Sequence, residues 1–305
     1  MKVLISILNW NRTLLTRRCV KSVLKASFEH DYEILVVDND SRDRSIESIE
    51  ELGENVKLVR NGSNLGFADG HYIAVNYGLQ KGFELLWLLN NDAVVEPLTL
   101  SKLVDSYQAK PNAIYGSLIR YSSELNFHGG YITEGKEIDK RVEIELKIVN
   151  SVNGASMVIP FKIISVHGWM KSDFFLYEEE VEYCKRLRSK GVKSYLVFNS
   201  VVDHEGGGSY WNEKLGYVRD YYKLRNHLFA GIDNGTITRR EVVKIWGGHS
   251  RFPVFWLKCI LYWLGIDSLF SLKFYLKSLS YYHVILNRRG KTLAPEDFLN
   301  TENDC

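Results

Sequence analysis

The sequence predicts an α/β protein with a mostly parallel central sheet, flanking helices and a helical C-terminal region. Two observations lead to this prediction: unbroken apolar runs alternate with segments of helical spacing in the first third, and aromatic helical segments fill the last quarter. Unbroken apolar runs are typical of parallel strands, because such strands are buried on both faces of their sheet. The 305 residues, 45% of them hydrophobic and 25% charged, suffice for one large folded domain with an appendage.

The first third of the chain alternates between strand-like and helical segments. In order, they are strand 3–8, helix 12–27, strand 33–38, helix 41–52, strand 55–61, helix 70–80 and strand 84–90. Ser41, which is followed by acidic residues, is the expected cap of the second helix.

The pattern loosens from about residue 113. Charged, alternating residues over 128–150 predict antiparallel edge strands. The segment 174–191 predicts a helix, since acids lie at its start, bases at its end and Gly191 stops it. A further strand is expected at 193–204, and the chain is helical, aromatic and basic beyond about residue 216.

Each strand predicted in the first third ends on polar side chains. They are Asn9 and Asn11, Asp38 to Asp40, Asn61 and Asn64, and Asn90 to Asp92. Because the carboxyl ends of parallel strands meet at one edge of the sheet, where such sheets bind ligands, these residues are expected to line one polar crevice.

The stretch LWLLNNDAVV (86–95) ends an apolar strand on Asn90, Asn91 and Asp92. A carboxylate flanked by amide oxygens presents the hard ligands that Mg²⁺ or Mn²⁺ takes beside substrate phosphates and water. A turn with a helix cap is the structural alternative. His204, at the end of a strand and shortly before three glycines, is a further candidate ligand for a metal or a diphosphate, with a structural role as its alternative.

Three glutamates in a row, Glu178 to Glu180, begin the helix predicted at 174–191. On a helix, Glu180 shares a face with Cys184 and Leu187, so one carboxylate of the cluster is predicted to point inward. The helix dipole favours the ionised form there, as a general base requires. Acids that only complement the dipole are the structural alternative.

The segment VVDNDSRD (36–43) begins like a calcium-binding EF-hand loop, but Arg42 and Asp43 interrupt that pattern. It also resembles the nucleophile loop of haloacid-dehalogenase-type phosphatases. In that interpretation Asp38 would be the nucleophile and Asp40 an acid. This phosphatase is the alternative function from a different class, and a catalytically inactive binding module is a third.

Together the segments resemble the inverting family 2 glycosyltransferases with the GT-A fold, and within them the bacterial rhamnosyltransferase-like branch. The resemblance rests on ILNWNR (7–12), EILVVDNDSRD (33–43), NGSNLGFADG (61–70), LLNNDAVV (88–95), VNGASMVIP (152–160), FFLYEEEVEYCKRLRSKG (174–191), VVDHEGGGSY (201–210) and YYKLRN (221–226). It implies a GT-A domain over 1–226, with a nucleotide-binding half at 1–112 and an acceptor half at 113–226. A helical, aromatic and basic region would follow at 227–305.

The resemblance also implies roles for the matching residues. Asp92, Asn90 and His204 would hold Mg²⁺ or Mn²⁺. The nucleotide-sugar donor would be bound by Asn9, Asn11, Asp38, Asn64, Gly66, Asn91 and Arg225.

The catalytic acids implied by the resemblance are Glu180, as the general base, and Glu179 beside it. The sequence departs from the family pattern in three places. Glu180 stands where the family has an aspartate, Asn90 occupies the first position of the DxD motif, and His71–Tyr72 replaces a frequent Asn–Asn pair.

The function implied is metal-dependent transfer of a sugar with inversion at the anomeric carbon. L-rhamnose from dTDP-rhamnose is the expected donor sugar, and the acceptor is a hydroxyl of a cell-surface glycan or of a polyprenyl-diphosphate-linked precursor. A UDP-hexose or galactofuranose donor is the alternative within the same fold.

Aromatic and basic residues interleave over 250–291, which predicts peripheral contact with an anionic membrane surface. Helix packing on the catalytic domain or a homodimer interface is the alternative. No segment reaches about 18 uncharged apolar residues, and the N-terminal apolar run is too short for a signal peptide. The cysteines are scattered, which is typical of reduced thiols in a cytoplasmic protein. The net charge of only +2 gives no overall attraction to nucleic acid. We therefore expect a cytoplasmic protein at the inner face of the plasma membrane, without a nucleic-acid partner.

Overall fold

The computed structural model describes residues 1–121, 127–128, 130–131, 146–204, 213–249, 257, 259–261, 264 and 269–298. The glycines after His204 and most of the charged and aromatic segments at 132–145 and 250–268 lie outside these residues. The described chain forms two compact units. The first contains residues 1–171 and 180–204, and the second contains residues 172–179 and those from 213 onward.

The first unit contains most of the regular structure. Its strands are β1 (Lys2–Asn9), β2 (Asp31–Asp38), β3 (Val56–Arg60), β4 (Leu85–Asn90), β5 (Ala93–Val95), β6 (Ala113–Tyr121), β7 (Phe127–His128), β8 (Gly130–Tyr131), β9 (Leu146–Val149), β10 (Ser151–Val152), β11 (Ser156–Pro160) and β12 (Lys193–His204). Its helices are α1 (Thr13–Leu24), α2 (Gly66–Lys81), α3 (Thr99–Ala109) and α4 (Phe161–His167), and α5 (Glu179–Arg188) starts at the last residue of the 172–179 segment.

The main sheet has the strand order β3-β2-β1-β4-β11-β6-β12-β5. Strands β3, β2, β1 and β4 run parallel to one another, β11 is antiparallel to both β4 and β6, and β12 is parallel to β6. A long crossover with a helix joins each of the parallel strands, as parallel pairing requires. The prediction of a mostly parallel sheet with flanking helices is therefore confirmed.

The apolar strands supply both faces of this sheet. Val3, Ile5 and Ile7 of β1 are buried on the face that α1 and α3 cover, whereas Leu4 is buried on the face covered by α2, α4 and α5. Successive side chains of a strand point to opposite faces, so an unbroken apolar run is needed where both faces are covered.

Two predicted helices differ from the structure. Residues 44–52 form a 3₁₀ helix, and Ser41 is no cap, because its hydroxyl oxygen already accepts from Asn9 Nδ2 at 3.0 Å and from the Asn11 N–H at 2.8 Å. Helix α5 begins at residue 179 rather than 174, since Phe175, Tyr177 and Glu178 have φ of 67°, 68° and 73°. Left-handed backbone cannot continue an α-helix, and for these residue types it is strained.

The second unit is helical, as the sequence predicts. It contains α6 (Glu213–Asp233), α7 (Arg239–His249) and α8 (Leu269–Ile285), and α6 packs against α8. The predicted boundary at residue 226 falls inside α6. Within the described residues, no helix combines the length and the apolar character that crossing a membrane demands.

Candidate active site

The carboxyl ends of β1, β2 and β4 bring the predicted polar residues together. Asn9 at the end of β1 pairs in register with Asp38 at the end of β2, and the preceding Leu8 pairs with Asn90 of β4. The convergence expected from the sequence is therefore present within the first unit.

Five side chains at these strand ends form what we call the strand-end network: Asn9, Thr16, Asp38, Ser41 and Asn91. Asn9 Nδ2 donates to Asp38 Oδ1 at 2.8 Å, while Thr16 Oγ1 donates to Asn9 Oδ1 at 2.6 Å. Asn91 Nδ2 donates to Thr16 Oγ1 at 3.1 Å. The Ser41 hydroxyl also donates to Asp38. The network links the ends of β1, β2 and β4 to helix α1.

Asp38 is the most heavily bonded member of the strand-end network. Its side chain is fully buried; Oδ1 accepts from Asn9 and Ser41, and Oδ2 accepts from the Ser41 backbone N–H at 3.2 Å. Arg60 Nε lies 3.5 Å from Oδ2. A phosphatase nucleophile must reach a phosphorus atom, and a carboxylate enclosed in this way does not. The structure therefore argues against the phosphatase alternative.

The backbone beside the network is held in unusual conformations. Asn11 and Asp40 have φ of 54° and 65°, a region in which asparagine and aspartate are tolerated better than most residues. Asn11 is buried, and its Oδ1 accepts from the Arg42 N–H at 2.6 Å, which ties the turn after β1 to the turn after β2.

Asn64 and Gly66 form the start of helix α2. Asn64 Oδ1 accepts from the Gly66 N–H at 3.0 Å and from Asn39 Nδ2 at 3.2 Å. Gly66 has φ of 77°, which favours glycine, and its carbonyl accepts from Asn39 at 2.9 Å. Gly70 allows α2 to pack closely, because an added Cβ would lie 2.6 Å from a methyl group of Leu8.

A second group, which we call the Asp92 cluster, contains Asn90, Asp92, Tyr121, Asn153 and His204. His204 Nε2 lies 2.9 Å from Asp92 Oδ1 and 3.1 Å from Asn90 Nδ2. The Tyr121 ring meets the His204 ring edge-on at 5.7 Å, and its hydroxyl bonds to Asn153. Burial and the nearby Asp92 carboxylate both raise the pKa of Tyr121, although the bond to Asn153 opposes them.

The donor set of the Asp92 cluster fits a divalent cation. A single imidazole nitrogen cannot both donate to Asp92 and accept from Asn90, and if the Asn90 amide is turned over, two oxygens compete for one proton. A cation between the three groups would satisfy a carboxylate oxygen, an amide oxygen and an imidazole nitrogen together.

Two further observations describe this prospective metal site. Nδ1 of His204 is buried and has no hydrogen-bond partner among the described residues. No three side chains of the His, Cys, Asp and Glu types converge within that part of the chain. The residues present would thus supply part of a coordination shell, as is usual where phosphates and water supply the rest.

Glu180 lies in the first turn of α5, close to the turn between β10 and β11. A Cβ added to Gly154 would lie 3.8 Å from Glu180 Cγ and 3.1 Å from Phe67 Cζ, so glycine leaves room for both side chains. The predicted face of the helix is confirmed, since Cys184 and Leu187 are fully buried. Glu180 itself is half-buried. Its charge contributes to the raised pKa of Cys184, about 11, of which burial is the larger cause.

Glu179 and Arg225, two predicted site residues, belong to the second unit. Glu179 is 1% exposed and is thus more buried than Glu180, contrary to the expectation that Glu180 is the enclosed acid of the cluster. Arg225 is fully buried, with Nη2 donating to the Phe174 carbonyl at 2.9 Å and Nη1 to the Gly290 carbonyl at 2.8 Å. Its predicted contact with the donor stays a prediction.

Asn226, next to Arg225, holds the chain that leads into α5. Its Nδ2 lies within 3 Å of the carbonyl oxygens of Phe174, Leu176 and Tyr177. These carbonyls belong to the left-handed segment immediately before Glu179. The YYKLRN motif therefore has a structural reason within the second unit: its last two residues fix the strained turn that starts the helix of the predicted base.

Several residues of the site escaped the sequence analysis. Thr16 and Ser41 complete the strand-end network, while Tyr121 and Asn153 complete the Asp92 cluster. The only sequence signals were indirect: Ser41 lies inside a motif that was quoted for its acids, and Asn153 precedes the Gly154 of a quoted segment.

The chain is similar to two curated proteins at low identity. It is 24% identical over 218 residues to the low-salt glycan biosynthesis hexosyltransferase Agl10 of Haloferax volcanii, which covers 65% of this chain and 68% of that protein. It is 23% identical over 212 residues to the dTDP-rhamnosyl transferase RfbF of Shigella flexneri, covering 65% and 70%.

Solved structures share the fold. One is GalNAc-T7 with UDP, GalNAc and Mn²⁺, with a TM-score of 0.57, 19% identity and coverage of 67% of this chain and 43% of that one. Another is the mannosyltransferase PcManGT of Pyrobaculum calidifontis with GDP-Man and Mn²⁺, with a TM-score of 0.58, 14% identity and coverage of 76% and 64%. The chain thus spans less than two thirds of the length of both. At these identities the likeness shows the fold alone, which is the GT-A fold.

Residues 5–161 match the glycosyl transferase family 2. The match begins inside β1 and ends at the start of α4, so it contains the strand-end network together with Asn90 and Asp92. Because it covers just over half of the 305 residues, the chain belongs to glycosyl transferase family 2.

Proposed function

We propose that this glycosyltransferase uses Mg²⁺ or Mn²⁺ and transfers L-rhamnose from dTDP-rhamnose to a hydroxyl group, with inversion at the anomeric carbon. The observation that carries the proposal is the convergence of Asp92, His204 and Asn90 on one point at the end of β4. The naming of RfbF as a dTDP-rhamnosyl transferase supports the choice of sugar. A UDP-hexose or galactofuranose donor is the alternative, and the name hexosyltransferase given to Agl10 is consistent with it.

The strand-end network would shape the donor pocket. Asn9 and Asp38 hold the ends of β1 and β2 from inside, and Asn11, Asn64 and Gly66 fix the turns around them. Asn91, which is half-buried, would contact the donor from β4. Arg225 is proposed as a further contact to the donor, although its described hydrogen bonds stabilise the second unit.

Asp92, His204 and Asn90 would hold the cation. When bound, it would neutralise negative charge that develops on the departing nucleoside diphosphate. Tyr121 and Asn153 would keep the His204 ring in the orientation that presents Nε2 to this point.

Glu180 is the proposed general base, with Glu179 as its buried neighbour. The Glu180 carboxylate would take the proton of the acceptor hydroxyl as the oxygen attacks the anomeric carbon from the face opposite the diphosphate. One displacement of this kind inverts the configuration and needs no covalent intermediate. A start position in α5 favours the ionised carboxylate that this step requires.

The acceptor is proposed to be a cell-surface glycan or a polyprenyl-diphosphate-linked precursor at the inner face of the plasma membrane. The second unit offers some support, because Leu257, Ile260 and Leu264 are each about half exposed while the neighbouring Cys259 is buried. An apolar helical face in a basic segment suits peripheral contact with an anionic membrane, and a homodimer contact would use the same face.

The test is donor turnover by the purified full chain. Hydrolysis and binding of dTDP-rhamnose, UDP-glucose, UDP-galactose and UDP-galactofuranose would be measured with Mn²⁺, with Mg²⁺ and with EDTA. We expect metal-dependent turnover of dTDP-rhamnose above the other donors. Preference for a UDP-sugar would replace the proposed donor, and binding of no nucleotide sugar with either metal would overturn the proposal.

The base is tested separately with an acceptor present. Glu180→Gln should lower transfer by about 100-fold or more while donor binding persists, because a general base contributes about 10²–10⁴-fold. Glu182→Gln is the matched control: it lies in the same helix, and its carboxylate pairs with Arg186 and Lys171. Equal losses in the two variants would contradict the assignment of the base.

A further inference from the structure

A cavity of about 630 Å³ lies between helix α1 and strand β5, within the first unit. Its wall includes Arg18, Lys21 and Lys25 from α1, and His204 with Asp203 from the end of β12. The volume is within the range of about 300–1,000 Å³ that small-molecule sites occupy. His204 belongs to both this cavity and the Asp92 cluster, so the two are adjacent. The roles proposed above leave the cavity itself unused.

The wall of the cavity carries a net positive charge. Arg18, Lys21 and Lys25 are spaced i, i+3 and i+7, which places them on one side of α1. Lys21 and Lys25 are exposed and form no ion pair with any described residue. The one acid of the wall, Asp203, forms a two-pronged contact with Arg120, which also pairs with Glu96, so the three cations of the wall outnumber its single carboxylate. The cavity therefore favours an anion.

The rest of the wall is apolar. Val94 and Val95 of β5 line it together with Pro97 and Ala26. The one hydroxyl nearby is already used, because Ser22 Oγ donates to the Cys19 carbonyl at 2.7 Å and accepts from the Val95 N–H at 3.1 Å. Lysine stems also add apolar surface beneath their charged ends. A ligand that fills this cavity would combine an anionic group with an apolar part.

A purely structural reason exists for part of this pattern. Lys21 lies in the last turn of α1 and Lys25 directly follows the helix, where cations complement the helix dipole. That reason does not extend to the apolar cavity beside the three cations. A structural role and a binding role for these lysines can be distinguished, because only a binding role predicts that their substitution weakens the binding of a ligand.

We propose that this cavity binds an amphiphilic phosphate: its phosphate group lies between Arg18, Lys21 and Lys25, and its apolar chain lies along Val94, Val95 and Pro97. The assignment concerns a site separate from the sugar-donor pocket and holds whether or not the proposed donor is correct. Its contact with His204 would bring such a ligand next to the Asp92 cluster. Free inorganic diphosphate and membrane phospholipid headgroups share the anionic chemistry, and the experiment distinguishes both from the soluble amphiphile.

Calorimetric titration of the full chain with farnesyl diphosphate, in EDTA and below the micelle concentration of the ligand, tests the proposal. We expect saturable binding with one site per chain, at least tenfold weaker binding of inorganic diphosphate, and no binding of farnesol. Lys21→Gln combined with Lys25→Gln should weaken farnesyl diphosphate binding at least tenfold. Lys110→Gln, which changes an exposed lysine at the end of α3, should leave it unchanged.

Several outcomes would overturn the assignment. They are no binding of farnesyl diphosphate, equal binding of inorganic diphosphate, equal effects of the double variant and of Lys110→Gln, and displacement of the ligand by UDP, which would place it in the donor pocket. Binding to phosphatidylglycerol vesicles without binding of the soluble ligand would assign the lysines to a membrane surface and would equally refute it. A thermal unfolding curve of the double variant that matches the wild type ensures that lost binding is not lost folding.

Discussion

The strand-end network and the Asp92 cluster lie at the same edge of one sheet, yet their polar atoms are used differently. In the strand-end network, both carboxylate oxygens of Asp38 accept hydrogen bonds from protein donors, and Asn9 is bonded through both ends of its amide. In the Asp92 cluster, two groups, Asp92 Oδ1 and Asn90 Nδ2, contact a single nitrogen of His204, and Nδ1 of the same ring has no partner among the described residues.

This difference fits a scaffold in the strand-end network and the proposed cation site in the Asp92 cluster. A saturated buried network fixes the positions of the strand ends, because loss of any member leaves a buried polar group unpaired. The competing contacts around His204 Nε2 fit the proposal that a cation completes the Asp92 cluster. Variants should therefore separate the two regions, with stability lost in the first and transfer lost in the second.

Asp38→Ala should give the largest loss of stability. It leaves Asn9 Nδ2 and both Ser41 donors without their acceptor in a fully buried place. Since each unpaired buried donor costs about 1–3 kcal/mol, the free energy of unfolding should fall by about 3 kcal/mol or more. Urea denaturation measures this change. Asp105→Ala on α3, where the side chain is 61% exposed, is the control, and an equal loss there would refute the scaffold role.

Asp92→Asn should lower the rate of transfer and leave the stability nearly unchanged, which is the reverse of the effect expected for Asp38→Ala. It keeps the shape and a hydrogen-bonding oxygen but removes the carboxylate charge of the proposed cation site. We expect transfer to fall about 100-fold or more, as for loss of one well-placed electrostatic group, with little change in the free energy of unfolding. Steady-state rates and urea denaturation on the same preparation measure both. A stability loss as large as that of Asp38→Ala, with transfer preserved, would erase the distinction between the regions.

The prediction from sequence succeeded where the signal is local and periodic. The strands ending at Asn9, Asp38 and Asn90 each form one unbroken apolar run, and parallel pairing then forces their polar ends together. Asp92 and His204 are 112 positions apart, but each ends or follows a strand of the same sheet, so their meeting followed from the fold.

The errors concern features that only long-range contacts determine. Ser41 has the sequence of a helix cap, but its hydroxyl donates to Asp38 and its oxygen accepts from Asn9 Nδ2 and from the Asn11 N–H, which leaves no lone pair for a helix N–H. The segment before Glu179 has helical composition, yet Asn226 fixes three of its carbonyls outside a helix. Neither competitor is close in sequence to the helix that was predicted, so periodicity could not reveal them.

Acidification should destabilise the first unit through His71 of α2, which contacts Ser6 of β1. The ring is 1% exposed, its Nδ1 contacts Ser6 Oγ at 2.7 Å, and burial lowers its pKa to about 3. Below the ordinary value of 6.5 the unfolded chain binds a proton that the folded chain does not, so stability falls as pH falls from 6.5 towards 3. The slope is about 1.4 kcal/mol for each pH unit.

Urea denaturation of the wild type and His71→Asn at pH 7.5, 6.0, 5.0 and 4.5 tests this contribution. The variant should lose less stability than the wild type on going from pH 6 to pH 4.5, and above pH 7 the two stability curves should run parallel. Burial lowers the pKa of His283, in the second unit, to about 4. His283 should therefore add a similar slope to the plot of stability against pH, and that contribution should remain in the His71→Asn variant. An unchanged slope in His71→Asn would show that this ring does not resist protonation in the folded chain.

Tyr121→Phe should give the smallest effect, and it tests whether the Asp92 cluster is oriented by residues the sequence did not reveal. The change removes the hydroxyl that bonds to Asn153 and keeps the ring that meets His204 edge-on. Loss of one such hydrogen bond costs about 1 kcal/mol, so Mn²⁺ should bind about fivefold more weakly in the presence of donor. Tyr107→Phe, near the other end of β6, should not change Mn²⁺ binding, because that ring packs against Tyr115 instead. If Tyr121→Phe binds Mn²⁺ as the wild type does, the orientation of His204 comes from its contacts with Asp92 and Asn90 alone.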